Sequence, residues 1–253
     1  MATDINRIEE TIQEYMDKEL FQIYLQPICD FHGNLVEAEA LIRLVKGKKI
    51  ISPMRFIPIM EELHVVSFID LFVFERVCRR IQRWNQQRLR MLSVSFNFSR
   101  ETFQCENLEE RMKVINEKYE VSPKSLVIEI TERTTWLPED DLLVHLQEEG
   151  FCFSLDDFGV EYSNLKSLIQ FPLSFIKLDK SLVDEVETNW KDRVLLKNVI
   201  DISHLLGMKV IAEGVESQFQ YDYFKRNGCD LVQGYYIDQP LPLWEFEKKY
   251  MKV

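Results

Sequence analysis

The chain has 253 residues, 46% of them hydrophobic, with only eight Gly and eight Pro, which supports a sizeable core and argues against disorder. Its formal net charge of −11 leaves no basic surface to displace the counterions of a polymeric nucleic acid. No apolar run approaches the roughly 18 residues of a membrane span and no basic segment precedes an apolar one at the N-terminus, so a cytoplasmic chain without a secretory signal is expected.

Residues 1–20 read as a helix: Ile5, Ile8, Ile12, Met16 and Leu20 recur at helical spacing on a charged background. This is either a helix packed on the following domain or a connector from an upstream regulatory domain. Residues 21–253 form the main domain. Its expected strands are Phe21–Cys29, Val36–Leu44, Leu92–Phe98, Leu126–Ile130, Phe151–Leu155, Phe175–Leu178, Lys209–Ala212 and Leu231–Tyr236. Asp30–Asn34 (DFHGN) reads as a hairpin turn between the first two. Helical periodicity marks Met54–Leu63, Ser67–Trp84, Leu108–Tyr119, Glu139–Glu149, Ser163–Ile169, Ser181–Leu206 and Gln218–Asn227. Pro138 and Ser217 suit helix starts, and Gly150, Gly207 and Gly228 suit C-terminal stops. Strands with repeated helical crossovers over this length predict an α/β fold, a TIM-like (β/α)8 barrel made irregular by its opening hairpin. A doubly wound open sheet is the alternative, but no glycine-rich dinucleotide or P-loop pattern follows a strand.

The five cysteines are odd in number, widely spaced and free of any C-x-x-C, so neither a disulfide framework nor a zinc site is expected. Cys152 and Cys229 read as small buried hydrophobes. The four histidines lie in expected turns or helices, away from strand ends.

Polar residues sit at or near the ends of the apolar strands: Glu39, Asn97, Glu129 with Glu132, Asp156 with Asp157, Lys177, Glu213 with Glu216, and Gln233. One acid ending a strand is ordinarily a solvated rim residue. Burying a carboxylate costs several kcal/mol unless it is paired or metal-bound, so the joint pattern on at least six strands signals function. In a barrel those ends meet at one mouth. Glu, Asp and Asn offer hard oxygens, which suit Mg²⁺ or Mn²⁺ better than Zn²⁺. Several carboxylates plus one lysine suit two-metal hydrolysis of a phosphate ester, with the lysine either a general base or the holder of the attacking water. A plain salt bridge of that lysine within an acidic cluster is compatible with either.

These motifs resemble the EAL-domain family of cyclic di-GMP phosphodiesterases, from about Phe21 to Tyr250. The resemblance rests on Glu39-Ala40-Leu41 followed by Arg43, Gln26-Pro27-Ile28 upstream, and FIPIMEEL at Phe56–Leu63. It continues through Asn97 and Ser99, Glu129-Ile130-Thr131-Glu132, Asp156-Asp157-Phe158-Gly159, Lys177 with Asp179, Ala212-Glu213-Gly214-Val215-Glu216, and Gln233-Gly234-Tyr235. It implies a barrel whose first strand runs antiparallel to the others. It implies one metal held by Glu39, Asn97, Glu129 and Asp156, and a second by Asp156, Asp157 and Glu213. The metals would be Mg²⁺ or Mn²⁺, two per site, with Ca²⁺ inhibitory. Lys177 would position or deprotonate the attacking water, with Glu39, Glu213 and Gln233 completing the catalytic set. Gln26, Leu41, Arg43, Asp179, Glu216 and Tyr236 would contact substrate, and Glu132 and Glu216 would brace the aspartate loop. The implied product is linear pGpG, the implied assembly a homodimer, and the implied upstream partner a sensory or GGDEF-type domain.

The chain departs from the family where D-D-F-G-T-G-Y-S-S-L is usual. It has DDFGVEYSNL, with Val160, Glu161 and Asn164 replacing Thr, Gly and Ser, and Leu44 replaces the usual Trp after the arginine. Loss of the glycine removes easy access to positive φ, and Glu161 adds negative charge near the aspartates. The rival function is a receptor that binds cyclic di-GMP without cleaving it. Such members usually lose the signature Glu, a metal ligand or the Lys, and all three are present here. An unrelated metal-dependent barrel enzyme would not need this ordered set.

Overall fold

In a computed structural model the structure describes residues 2–131, 140–160 and 166–251. The expectations on Glu132, Pro138, Glu161 and Asn164 lie outside those residues.

Strands β1 (Phe21–Asp30) and β2 (Leu35–Lys46) pair antiparallel from Phe21↔Leu44 to Cys29↔Leu35. Asp30 makes the turn between them tight: its Oδ1 accepts the backbone N–H groups of His32 and Asn34, each at 2.8 Å. A two-stranded start with no intervening helix follows directly from that short polar turn. Helix α1 (Ala2–Asp17) precedes β1, with Ile12 buried in the core and the Tyr15 ring 6.1 Å from that of Phe21.

The chain continues through β3 (Lys49–Ile51), α2 (Ile57–Glu62), α3 (Val66–Gln86), β4 (Ser93–Asn97), α4 (Arg100–Phe103), α5 (Leu108–Tyr119) and β5 (Leu126–Thr131). Then come α6 (Asp140–Glu148), β6 (Cys152–Phe158), α7 (Ser167–Gln170), β7 (Phe175–Leu178), α8 (Lys180–Glu185), α9 (Trp190–Leu205) and β8 (Lys209–Ala212). The last elements are α10 (Gln218–Arg226), β9 (Leu231–Val232), β10 (Leu241–Pro242) and α11 (Leu243–Tyr250). Strands β2, β4, β5, β6, β7, β8 and β9 pair in that order, and β4 through β9 run parallel to β2. β1 closes the circle, antiparallel to both β2 and β9. The result is an eight-stranded closed barrel with helices outside it; the open-sheet alternative is excluded by these two closing pairs. β3 and β10 are short additions.

Ile28, Ile211, Leu231 and Phe175 pack together inside the barrel, below the polar residues of the same strands. The main core lies between the outer sheet face and the helices. Among the described residues no helix is long and apolar enough to cross a membrane.

Several expected boundaries are corrected. The single helix over Ser181–Leu206 is two, α8 and α9. Arg193 folds back so that its Nε donates to Val186 O at 2.6 Å, and Asn189 caps the new helix by accepting Lys191 N–H at 3.0 Å. The strand over Leu231–Tyr236 ends at Val232, because Gly234 turns at φ +154°. The strand β3, which makes a second hairpin, and the helix α11 have no clear signal in the sequence pattern. Cys152 is half-buried rather than buried, whereas Cys229 is buried; all five cysteines are free. Ser217 does start α10, with a reciprocal capping box to Gln220.

Candidate active site

Side chains alternate along a strand, so β2 sends Glu37 and Glu39 inward together, β5 sends Glu129, β7 sends Lys177, and the ends of β6 and β8 carry Asp156 and Glu213. Parallel pairing sets Glu39 level with Ser95 and Asn97 level with Glu129. The polar ends therefore meet at one mouth.

Lys177 is the centre. Its side chain is 1% exposed, and its Nζ lies 2.6 Å from Glu213 Oε1, 2.8 Å from Glu129 Oε1, 3.1 Å from Asp156 Oδ1 and 3.4 Å from Glu39 Oε2. Burial pulls the lysine pKa down, but the facing carboxylates outweigh it and hold it well above the ordinary range. Burial pushes Glu129 and Glu213 well above the usual carboxylate range, and the neighbouring acids add to this. Asp157 rises to about 6, from burial first and then from Asp156 and Asp179.

Asp156 and Asp157 are consecutive in β6 and should point to opposite faces. Asp157 instead has φ +56°, and the β6–β7 register slips between Leu155 and Phe158. Aspartate tolerates this conformation better than most residues. Carboxylate oxygens of Asp156, Asp157 and Glu213 then lie within 4.8 Å of one another, a group able to hold a metal ion. Glu39 and Glu129 contact the same ammonium, and Asn97 Nδ2 donates to Glu129 Oε2 at 3.2 Å. Glu39, Glu129, Asp156 and Glu213 face one buried ammonium, and Asp157 stands beside Asp156 and Glu213, so the acids of the mouth outnumber its one cation. That excess of acids suits a divalent cation. The donor set is all oxygen, which fits Mg²⁺ or Mn²⁺.

A buried relay flanks this group. Gln233 Nε2 donates to Glu39 Oε2 at 2.5 Å and to Gln26 Oε1 at 3.2 Å, and Gln26 Nε2 donates to Asp238 O at 3.2 Å. Gln233 owes its place to Gly234, where a Cβ would stand 2.2 Å from Val215 O.

Other expected site residues sit less centrally. Leu41 and Arg43 are half-buried at the upper end of β2; Arg43 donates to Ile42 O at 2.9 Å and lies 5.8 Å over the Tyr24 ring. Asp179 caps α8 by accepting Ser181 N–H at 2.8 Å. Glu216 is exposed and pairs with Lys180 at 3.2 Å. Tyr236 turns toward α10, its ring packed at a tilt on Tyr221 with centroids 5.0 Å apart and its hydroxyl donating to Gln218.

Two residues escape the strand-end reading. Glu37 is 2% exposed, and burial pushes it up to about 7. Its signal is visible in the sequence, since it shares a face with Glu39. Asp70 on α3 accepts Ser99 N–H at 2.7 Å and the Thr102 hydroxyl at 2.6 Å, fixing the turn that follows Asn97. Nothing in a helical stretch marks such a residue.

A family model described as EAL domain matches residues 9–240. The chain is 33% identical to the signaling protein YkoW of Bacillus subtilis over 95% of this chain and 30% of that protein. It is 29% identical to the cyclic di-GMP phosphodiesterase NbdA of Pseudomonas aeruginosa, over 98% of this chain and 32% of that protein. The chain thus spans about three-tenths of the length of these curated relatives. Among solved structures it superposes on the PaMucR phosphodiesterase in complex with c-di-GMP with a TM-score of 0.86, at 25% identity and covering 95% of this chain and 99% of that one. An EAL domain protein of Listeria monocytogenes EGD-e gives a TM-score of 0.82 at 27% identity, covering 94% of this chain and 96% of that one.

Proposed function

The chain belongs to the EAL-domain family, and from that premise we propose that it hydrolyses cyclic di-GMP to linear pGpG with the help of two divalent cations. The observation that carries this reading is the meeting of Glu39, Glu129, Asp156 and Glu213 around one buried ammonium, with Asp157 alongside.

Glu39, Asn97, Glu129 and Asp156 would hold one cation, and Asp156, Asp157 and Glu213 the other. Mg²⁺ or Mn²⁺ there would supply Lewis acidity and lower the pKa of bound water. The residues supply the rest. With carboxylates on several sides Lys177 keeps its proton, which suits it to donate a hydrogen bond to the attacking water. Gln233, fixed by Gln26, holds the Glu39 carboxylate in one orientation. Arg43 at the rim meets a phosphate of the substrate, and Leu41 packs beside it. Asp179, Glu216 and Tyr236 are assigned to substrate, and Glu216 to bracing the aspartate loop, on the family pattern. Water oxygen bonds to phosphorus and the P–O bond to the ribose 3′ oxygen breaks. One proton of the water leaves with that 3′ hydroxyl, and the oxygen remains on the 5′ phosphate of pGpG.

The reading also takes the chain as a cytoplasmic, homodimeric unit working under a sensory or GGDEF-type domain. It is tested by incubating the chain with cyclic di-GMP and Mg²⁺ or Mn²⁺ and separating products by chromatography. Formation of pGpG is expected. Binding without cleavage would assign the chain to the receptor class instead.

A further inference from the structure

The hairpin β1–β2 has a second consequence. A regular barrel places a helix over each strand-to-strand connection, and here the first connection carries none. The outer face of β1 is therefore left as the floor of a groove of about 660 Å³ between α3 and α11. Residues Ile23 and Leu25 line that floor, while Gln26 on the opposite face of the same strand joins the Gln233 relay.

The wall from α3 presents Arg76, Arg79, Arg80 and Arg83, at helical spacing on one face. This basic stripe stands out on a chain with a net charge of −11. Two of the four are matched: Arg80 meets Glu247 at 3.0 Å, and Arg76 meets Glu19 at 3.7 Å. Arg79 and Arg83, one turn apart and exposed, have no acidic partner among the described residues. The α11 wall carries Trp244, a residue 65% exposed beside an apolar floor.

We propose that this groove is a second ligand site, for a nucleoside phosphate, with the phosphate between Arg79 and Arg83 and the base against Trp244. Paired guanidinium groups match phosphate oxygens in a two-point geometry that a lone cation does not. An exposed indole gives an aromatic base a face to stack on. The volume lies within the roughly 300–1,000 Å³ of small-molecule sites. Because the floor is β1, an occupant would press on the strand that carries Gln26 to the catalytic mouth.

The test is calorimetric titration of the intact chain, in chelator, with GMP, AMP, guanosine, inorganic phosphate and an oligoglutamate peptide. Chelation removes the cations on which cyclic di-GMP hydrolysis depends, so the outcome is independent of that reading. Saturable nucleotide binding is expected with Kd below about 1 mM, weakened about tenfold or more in Arg79→Ala/Arg83→Ala and in Trp244→Ala. It should be unchanged in Arg43→Ala, which reports on the catalytic mouth. Both arginines of the double variant are exposed, so its Tm should match the parent; the single charge reversal Arg79→Glu gives an independent check. The proposal is overturned if no nucleotide binds, if binding follows Arg43 instead, or if loss of the arginine pair changes nothing. Inorganic phosphate binding as tightly as GMP, or oligoglutamate binding in preference to it, would also overturn it.

Discussion

Asp157 directly follows Asp156 in β6, yet their carboxylates lie within 4.8 Å of each other's oxygens and of Glu213. An extended strand would separate them onto opposite faces of the sheet. The left-handed turn at Asp157, φ +56°, is what brings the second carboxylate round. Such a backbone costs about 1–2 kcal/mol in a residue with a Cβ, less where a short polar side chain bonds locally. The fold tolerates that strain where a doubled negative charge is useful.

Charge and backbone can be separated at this position. Asparagine accepts the left-handed conformation as well as aspartate does, but brings no charge. Asp157→Asn should therefore fold with a Tm close to the parent, while the metal concentration for half-maximal activity rises about tenfold or more. Metal titrations of pGpG formation check this. Identical titration curves would remove Asp157 from the cation site.

Lys177 offsets four carboxylates from a fully buried position. Breaking a buried ionic group by removing one partner costs roughly 3–5 kcal/mol. Lys177→Gln should lower the Tm strongly in chelator, and Mn²⁺ should restore more stability to the variant than it adds to the parent. Activity should stay low even when the Tm recovers, because the water loses its donor. Thermal melts with and without Mn²⁺, run beside the activity assay, distinguish the two effects.

Glu39 receives the Gln233 amide at 2.5 Å and faces Lys177 at 3.4 Å. Groups that merely orient a metal ligand typically cost about 10–100-fold when lost, and a ligand itself should cost more. Glu39→Ala should abolish pGpG formation while the barrel remains folded. Retained turnover, or a loss matched by unfolding in the melt, would remove the assigned role.

Calcium tests the geometry of the oxygen cluster. It accepts the same donors at about 2.3–2.6 Å with loose geometry, against about 2.0–2.1 Å and near-octahedral geometry for Mg²⁺. Ca²⁺ should bind and inhibit, since a bridging water would be poorly placed. An assay with Ca²⁺ as the sole cation should show little product, and added Ca²⁺ should suppress the Mg²⁺ rate.

Glu37 gives a pH signature in stability. Burial pushes its pKa up from 4.5 to about 7, with the Ser95 side chain and the Lys177 charge acting the other way. Between those values the folded state keeps a proton that the unfolded chain has released. Stability from this group is thus full below about pH 4.5 and declines as pH rises to about 7, by roughly 3 kcal/mol if the site acts alone. Glu37→Gln copies the protonated form. In chelator it should be more stable than the parent at pH 8 and nearly equal to it near pH 4.5. Equal Tm values at both pH values would show that Glu37 finds a partner for its charge.

Strand-end polarity singles out Glu39, Asn97, Glu129, Asp156, Lys177, Glu213 and Gln233, because alternation makes an inward polar residue in an apolar strand stand out from its neighbours. The strands Phe175–Leu178 and Lys209–Ala212 and the helix Leu108–Tyr119 have the bounds their patterns predict. The sequence by itself determined the barrel class, its opening hairpin and the polar residue types at its strand ends, since these depend on period and residue type, which are local properties. Tertiary structure decided the rest. The break between α8 and α9 depends on Arg193 reaching back to Val186 O, and a helical period runs straight through it. The Tyr236 ring packs on Tyr221 and its hydroxyl reaches α10, a contact that no strand pattern shows. The doubling of Asp156 and Asp157 on one side needs a backbone angle that no pattern announces. The convergence of four carboxylates on Lys177 exists only once β1 closes the barrel and brings strands far apart in sequence within hydrogen-bonding distance of one ammonium.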